Sequence, residues 1–245
     1  MVGKVSKIRQ LTYIATSTLA FLALSTSASA ATFSDGFETG SFAAALDGFR
    51  WGVPNDIVSV TNSLAYSGGR ALSFTYPGTS SGVDSMAQAT LVMPAKSQYW
   101  FSYKLYVPSN YVHRTQSSGG SNNKFLAVYS APYSSPGFQV NFSTQPSSTG
   151  GSDLEIHHYN AGREGSVRNA ASDFITLSDR GKWLDILVQV AVPTSSTSSN
   201  GIMRLWKNGT KIVDVSNLPS WGGSTNHIDQ AYFMGWSNSG FNSST

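Results

Sequence analysis

Short segments of this sequence alternate apolar and polar residues, and Gly, Pro, Ser and Asn separate one segment from the next. A period of two residues sends side chains to opposite faces of a β-strand, whereas an amphipathic helix needs a period near 3.6. In YWFSYKLYVP, Tyr99, Phe101 and Tyr103 share one face, and Pro108 ends the strand. The pattern predicts an all-β fold with ten or more short antiparallel strands, as in a β-sandwich or jelly roll.

A hairpin is the clearest local feature. GIMRLWKNGTKIVDV has strand-like segments at 202–207 and 211–215 on either side of Asn208-Gly209. Asn-Gly is the preferred two-residue turn of a hairpin because both positions tolerate positive φ. These two segments are therefore predicted to be antiparallel neighbours.

Residues 1–30 have the three parts of a secretory signal peptide. These parts are a basic start with Lys4, Lys7 and Arg9, an apolar run over 11–24, and a small-residue cleavage site ending at Ala30. The apolar run is too short for a membrane span, which needs roughly 20 apolar residues. We therefore predict a secreted protein, extracellular or periplasmic and of bacterial type, with no membrane attachment after the signal is removed.

Composition narrows the class further. Without the signal, basic and acidic residues are equal in number at thirteen each, so the charge gives no reason to expect a nucleic-acid partner. The absence of cysteine excludes disulfides and thiolate metal sites. The remaining chain of about 215 residues fits one all-β domain, so we predict a single domain over 31–245 and a monomer.

Two adjacent histidines occur in DLEIHHY. If this segment is a strand, Leu154, Ile156 and His158 share one face, so His158 is expected to be a hydrogen-bonded core residue. Glu155, His157 and Tyr159 then share the opposite, polar face. The two histidines cannot form a pair, and His157 is the candidate for a site.

The preceding strand-like segment, GFQVNFS, sends Gln139 and Asn141 to its polar face. Sequential strands usually pair, so these amides and the Glu155–His157–Tyr159 face are predicted to form one polar patch. Five further residues are candidates to extend the patch: Trp100, Lys104, Tyr106, Lys124 and Arg163. Such a patch suits a carbohydrate, and the alternative is a solvated outer face of a sheet.

Seven segments occur in an order that resembles a known family: FSDGFETGSF, FRWG, SGGRALSFTY, YWFSYKLYVPSNYV, SNNKFLAVYS, GKWLDILVQV and RLWKNGTKIVDV. They resemble the concanavalin A-like jelly rolls of secreted polysaccharide lyases, of the heparin lyase I-like and glucuronan or alginate lyase-like kind. The resemblance covers nearly all of the chain after residue 30. Similar jelly rolls continue with another strand beyond the final FMGWSNSGFNSST, so the domain is expected to be one strand short.

The resemblance implies β-elimination at a uronic acid within an acidic polysaccharide. Gln139, Asn141 or Arg163 would neutralise the substrate carboxylate. His157 would be the base, and Tyr159 the acid or a combined base and acid. Unperturbed imidazole titrates near pH 6.5, which suits a base at neutral pH. No cofactor is required for this chemistry.

The segment SDGFETG leaves two interpretations open for Asp35 and Glu38. Their carboxylates are candidate ligands of a structural Ca²⁺. In the alternative, Asp35 stabilises a local turn.

The function hypotheses belong to different classes. The first is a secreted polysaccharide lyase that acts on an acidic, uronic-acid-containing polysaccharide. The alternative is a non-catalytic, lectin-like or laminin-G-like carbohydrate-binding module, because a sandwich with aromatic and amide groups binds sugars without a base. The fold does not decide between them.

Overall fold

The computed structural model describes residues 32–52, 57–80, 83–114, 123–223 and 227–238, without the side chains of 166–169. The predicted signal peptide at 1–30 lies outside the described residues. Fourteen strands are found in the described part: β1 (Ala45–Leu46), β2 (Phe49–Trp51), β3 (Val58–Thr61), β4 (Ala71–Phe74), β5 (Ser85–Lys96), β6 (Gln98–Val107), β7 (Asn123–Tyr129), β8 (Phe138–Pro146), β9 (Ser152–Asn160), β10 (Arg163–Ile175), β11 (Lys182–Ala191), β12 (Gly201–Lys207), β13 (Thr210–Leu218) and β14 (Ile228–Ser237). A single 3₁₀ turn at Leu177–Asp179 precedes β11.

The strands form two main antiparallel sheets. One has eight strands in the order β1-β2-β5-β14-β7-β8-β9-β10, and the other has four in the order β13-β12-β11-β6. β3 and β4 form a separate two-stranded sheet. The predicted all-β jelly-roll sandwich of antiparallel sheets is confirmed, and so is the hairpin, whose second strand runs on to Leu218.

The core lies between the inner faces of the two main sheets. From the eight-stranded sheet, Phe138, Val140 and Phe142 contribute side chains that are completely buried. Ile186 and Val188 of the four-stranded sheet belong to the same apolar cluster. Each such side chain contributes about 1.5–3 kcal/mol by leaving water, which fixes the face of each strand that turns inward.

β14 is the last strand in the described part of the chain, yet it lies inside the larger sheet. It pairs with β5 on one side and with β7 on the other. This non-local pairing places the side chains of residues 228–237 beside those of β5 and β7. The additional strand that the resemblance implies remains a prediction. Among the described residues, no helix has the length and apolarity needed to cross a membrane.

Candidate active site

Polar and aromatic side chains form two rows across the eight-stranded sheet, on the face opposite the core. Directly opposite residues of antiparallel strands project to the same side, so the pairing register defines each row. The first row is Tyr232, Ala127, Asn141 and His157. The second row is Tyr129, Gln139, Tyr159 and Glu164. These eight residues, with Ser143 and Glu155, are called the polar face below.

The predicted pairing of the two central strands is therefore observed. Asn141 lies opposite His157, and Gln139 lies opposite Tyr159. Glu155 is on the same face, opposite Ser143. The structure thus brings together the five residues that the alternation assigned to one patch. Most of this patch is removed from water, since Gln139, Asn141 and Glu155 are 4%, 3% and 2% exposed. A solvated outer face does not describe it.

Glu164 joins the two groups that are best suited to proton transfer. Its Oε1 lies 2.7 Å from Nδ1 of His157 and accepts a hydrogen bond of 2.9 Å from the Tyr159 hydroxyl. The imidazole and phenol rings are nearly parallel, at 18°, with centroids 6.4 Å apart. An ionised carboxylate only accepts, so Nδ1 carries the proton in its hydrogen bond to Glu164.

The turn between β9 and β10 determines which side chain reaches this position. Ala161 and Gly162 form a two-residue loop, and both have positive φ, at 51° and 72°. Such a loop fixes the register of the two strands. Glu164 therefore lies opposite Tyr159. Glu164 was not predicted as a site residue, because its face depends on the length of this turn.

Glu155 lies on the other side of the imidazole. Its Oε1 is 3.3 Å from Nε2 of His157, and its Oε2 accepts a hydrogen bond from the side-chain amide of Gln145. His157 is thus flanked by a carboxylate at each ring nitrogen. Nε2 is buried in the free protein and has no hydrogen-bond partner among the described residues, so neighbouring side chains must move before a substrate proton can reach it.

The two amides of β8 form the neutral part of the polar face. Gln139 donates from Nε2 to Oδ1 of Asn141 at 2.7 Å. The NH₂ group of Asn141 has no hydrogen-bond acceptor among the described residues. An amide NH₂ next to an imidazole is suited to hydrogen-bond a carboxylate oxygen.

The phenol of Tyr159 is held in its protonated form. Burial raises its pKa well above the ordinary value of 10, and the hydrogen bond to Glu164 and the charge of that carboxylate act in the same direction. In the free protein, Tyr159 is therefore a proton donor rather than a base. Of the two roles that the resemblance implied for it, this geometry favours the acid.

Two tyrosines of the polar face, Tyr129 and Tyr232, and the neighbouring Tyr133 were not predicted from the sequence. The ring of Tyr133 lies 5.3 Å from those of Tyr129 and Tyr232. Tyr133 belongs to the β7–β8 connection and accepts a hydrogen bond from the Tyr232 hydroxyl at 3.2 Å. Burial raises the pKa of Tyr129 to about 12 and also raises that of Tyr232. Only the non-local pairing of β14 brings these rings together.

The second histidine lies on the core side, as the alternation predicts. His158 is 4% exposed and stacks on Trp221, with ring centroids 4.8 Å apart. Its Nε2 has no hydrogen-bond partner among the described residues, so the expected bond at that atom is not observed. Burial lowers the pKa of His158 to about 4, which keeps the ring neutral near pH 7.

Trp100, Lys104 and Tyr106 do not extend the polar face, and the prediction that they would is wrong. They lie on β6, which pairs with β11 in the four-stranded sheet. Their side chains point outward from that sheet, because the alternate residues Phe101 and Val107 are buried in the core. The alternation found the correct face of the strand, but it cannot tell to which sheet the strand belongs.

The two cations proposed beside the patch have different positions. Arg163 lies opposite Asn160, so the register assigns it to the face of His158 rather than that of His157. It is exposed. Lys124 lies opposite Ser143 and is half-buried at the end of the polar face. Of the two, only Lys124 is placed to approach a ligand on this face.

The carboxylates of Asp35 and Glu38 accept hydrogen bonds from separate groups of the protein. Asp35 accepts from the backbone N–H of Phe37 at 2.7 Å and from the indole of Trp51 at 2.8 Å. Glu38 accepts from the backbone N–H of Gly69 at 3.1 Å. The described residues contain no cluster of three or more His, Asp or Glu side chains arranged to hold a metal ion. The contacts favour the turn interpretation, and calcium binding stays a prediction.

Taken together, these features define a class of protein. It is an antiparallel sandwich in which one sheet face presents amides, an imidazole and a phenol, the groups that acid–base chemistry on a sugar chain requires.

The particular family follows from the sequence. The model of the family described as polysaccharide lyase matches residues 37–233. The chain belongs to this family. The match confirms the predicted class of enzyme and the resemblance on which it rested. No curated protein sequence matches the chain.

Two solved lyase structures are similar to this chain. The structure of a double mutant of the alginate lyase Aly36B in complex with alginate tetrasaccharide is 14% identical, with 80% of this chain and 82% of that chain covered and a TM-score of 0.53. The endo-β-1,4-glucuronan lyase of the fungus Trichoderma reesei is 11% identical, with 78% and 93% covered and a TM-score of 0.49. At these identities, the likeness extends to the fold.

Proposed function

We propose that this protein is an exported lyase that cleaves an acidic polysaccharide by β-elimination on the polar face. The observation that carries the proposal is the shared oxygen of Glu164, which contacts both the imidazole of His157 and the hydroxyl of Tyr159. Membership of the polysaccharide lyase family supports the reaction type. Export is proposed from the signal-like residues 1–30.

The side-chain amides of Gln139 and Asn141 bind the uronic acid. The NH₂ of Asn141 faces the ligand side beside His157, and Gln139 holds the Asn141 carbonyl so that this NH₂ is oriented. Hydrogen bonds to the substrate carboxylate withdraw charge from it, which makes the proton at C5 more acidic. Lys124 supplies positive charge at the end of the same face. Because Gln139 and Asn141 are buried, hydrogen bonds from these amides are stronger than they would be in water.

His157 takes the proton. Its Nδ1 is directed at Glu164, which leaves the lone pair of Nε2 for the base role. As the C5–H bond breaks, its electron pair forms the C4=C5 double bond, and the proton moves to Nε2. The positive charge that develops on the ring is stabilised by the carboxylates on both sides, Glu155 and Glu164.

Tyr159 completes the elimination as the acid. The C4–O bond to the leaving sugar breaks, and the phenol O–H protonates the leaving oxygen. Because Glu164 contacts both rings, the proton gained by His157 has a short path back to Tyr159. The amides, His157 and Tyr159 thus fill each role, so we propose that no cofactor is required and that a chelator leaves the activity unchanged.

The test is the absorbance of the unsaturated uronic acid product near the ultraviolet edge. Purified protein is incubated with alginate, glucuronan, heparin and pectate, and alginate is tried first because a similar structure holds an alginate tetrasaccharide. We expect a rise with at least one polymer that is abolished in His157→Ala and Tyr159→Phe.

A matched control is His227→Ala, since His227 is a 43% exposed histidine that is not one of the residues of the polar face. We expect it to retain the activity. If no polymer gives a rise but one is still bound, the non-catalytic carbohydrate-binding module is the correct function and the lyase is not.

A further inference from the structure

The outer face of the four-stranded sheet carries an unusual number of aromatic side chains. They lie on β6, β11 and β12 and on the loop after β3. The set, called the outer strip below, is Tyr66, Trp100, Tyr106, Trp183 and Trp206. The proposed catalytic role uses none of these residues.

One end of the outer strip is a tryptophan pair. Trp100 is 50% exposed, although the ring is large and apolar. Its ring centroid lies 5.7 Å from that of Trp206, and the two planes are inclined by 31°. β11 runs between β6 and β12, the strands that carry the two tryptophans. Its Gln189 lies opposite Trp100 of β6 and opposite Arg204 of β12. The guanidinium of Arg204 donates to Oε1 of Gln189 at 3.1 Å, so hydrogen-bonding groups border the rings.

The other end is a cluster of three rings. Tyr106 lies opposite Trp183, with centroids 5.2 Å apart, and Tyr66 is 5.8 Å from Trp183. Tyr66 is 55% exposed. The ammonium group of Lys104 is 4.4 Å from the Tyr66 centroid and is paired with Asp185. A groove of about 670 Å³ is lined in part by this cluster and by Trp100.

The two ends are spaced along a single strand. Trp100 and Tyr106 are six residues apart on the same face of β6, which corresponds to about 20 Å. Only Ser102 and Lys104 lie between them on that face. The strip therefore offers flat rings at both ends and polar groups in the middle, over a length that several sugar rings span.

We propose that the outer strip is a second, non-catalytic binding site for the polysaccharide that the polar face cleaves. Aromatic faces pack against the C–H faces of sugar rings, and the partly exposed side chains of Lys104 and Arg204 bind hydroxyls and carboxylates. A protein partner fits less well, because the ion pair of Lys104 and Asp185 lies where the apolar centre of such an interface would be. The identity of the polymer rests on the proposed function.

The experiment is gel electrophoresis through a matrix containing the polymer, with the full protein carrying His157→Ala so that the polymer stays intact. We expect the polymer to retard this protein. The further change Trp100→Ala should abolish most of the retardation, whereas Trp100→Phe, which keeps a ring face, should preserve it. Trp206→Ala and Trp206→Phe repeat the comparison, and thermal unfolding verifies that each variant is folded.

A kinetic readout separates this site from the catalytic one. In the active protein, Trp100→Ala should raise the KM for the polymer severalfold and leave kcat/KM for a short oligosaccharide unchanged. Equal retardation of Trp100→Ala and its parent would overturn the second site. So would the absence of retardation in the parent. The ultraviolet assay on the unsubstituted protein judges the lyase itself, so the two proposals fail independently.

Discussion

The polar face and the outer strip are both directed away from the core, but water reaches them very differently. On the polar face, Gln139, Asn141 and Glu155 are almost completely buried, and Glu164 at the edge is half exposed. On the outer strip, Trp100 is half exposed although its ring contacts that of Trp206. Charges in a dry, preorganised site interact strongly, and those on a wet surface are screened. The first arrangement is suited to chemistry and the second to contact. Two sheets of one sandwich can therefore serve one polymer in two ways.

The largest effect is expected at the base. His157→Ala should lower kcat by about 10²–10⁴, because a positioned general base contributes that range. Lys104→Ala, beside Tyr66 of the outer strip, should change kcat for a short oligosaccharide less than twofold. Initial rates of the ultraviolet signal measure both variants. A loss in Lys104→Ala as large as that in His157→Ala would end the distinction between the two faces.

The next largest effect is expected at His158, the buried neighbour of His157 on β9, and it concerns the pH dependence of stability. Burial lowers the pKa of His158 from 6.5 to about 4, so the unfolded chain binds a proton first as the pH falls through this range. The folded state should lose on the order of 2–3 kcal/mol of stability between pH 6.5 and pH 4 from this residue. In His158→Phe this part of the pH dependence should disappear from urea unfolding curves. His227→Ala serves as the control, and a pH dependence unchanged in both would contradict the assignment.

A smaller effect is expected at the residue that links base and acid. Glu164→Gln keeps the size of the side chain but replaces a charged acceptor, which is worth about 1.5–3 kcal/mol for such a bond. We expect kcat/KM to fall about tenfold to a hundredfold, with a changed pH profile, since the acceptor at Nδ1 of His157 loses its negative charge. Asp214→Asn, which removes a carboxylate from an exposed ion pair on β13, is the matched control.

The smallest effect belongs to the exposed aromatic surface. Trp100→Ala should change the free energy of unfolding by no more than about 0.5 kcal/mol, because substitutions at exposed positions rarely cost more. Phe142→Ala in the core should cost about 3–5 kcal/mol in the same urea titration. A large loss in Trp100→Ala would mean that the outer strip serves the fold rather than a ligand.

Local pattern was sufficient for part of this structure. Alternation separated His157 from His158 correctly, and Asn208-Gly209 marked a real hairpin, because both depend only on neighbouring residues. Pairing of β8 with β9 followed from their adjacency in the chain. The central half of the polar face could therefore be predicted.

The remainder depends on contacts that the sequence does not display. β6 pairs with β11, which follows it by about eighty residues in the chain, so Trp100 lies in the four-stranded sheet and not beside the polar face. Tyr232 meets Tyr133 only because β14 enters between β5 and β7. Glu164 rather than Arg163 lies on the polar face, because the register of β10 depends on the turn that precedes it. Non-local pairing and register are the two facts that alternation leaves undetermined.

The length of the turn at Ala161-Gly162 also determines how this site can change in evolution. The next two residues are Arg163 and Glu164, one cationic and one anionic, on opposite faces of the strand. A single inserted residue that shifted the register by one would exchange them, and a guanidinium would then lie beside His157. A length change in one surface loop is thus a route by which a descendant of this protein reverses the charge of its site while keeping every side chain.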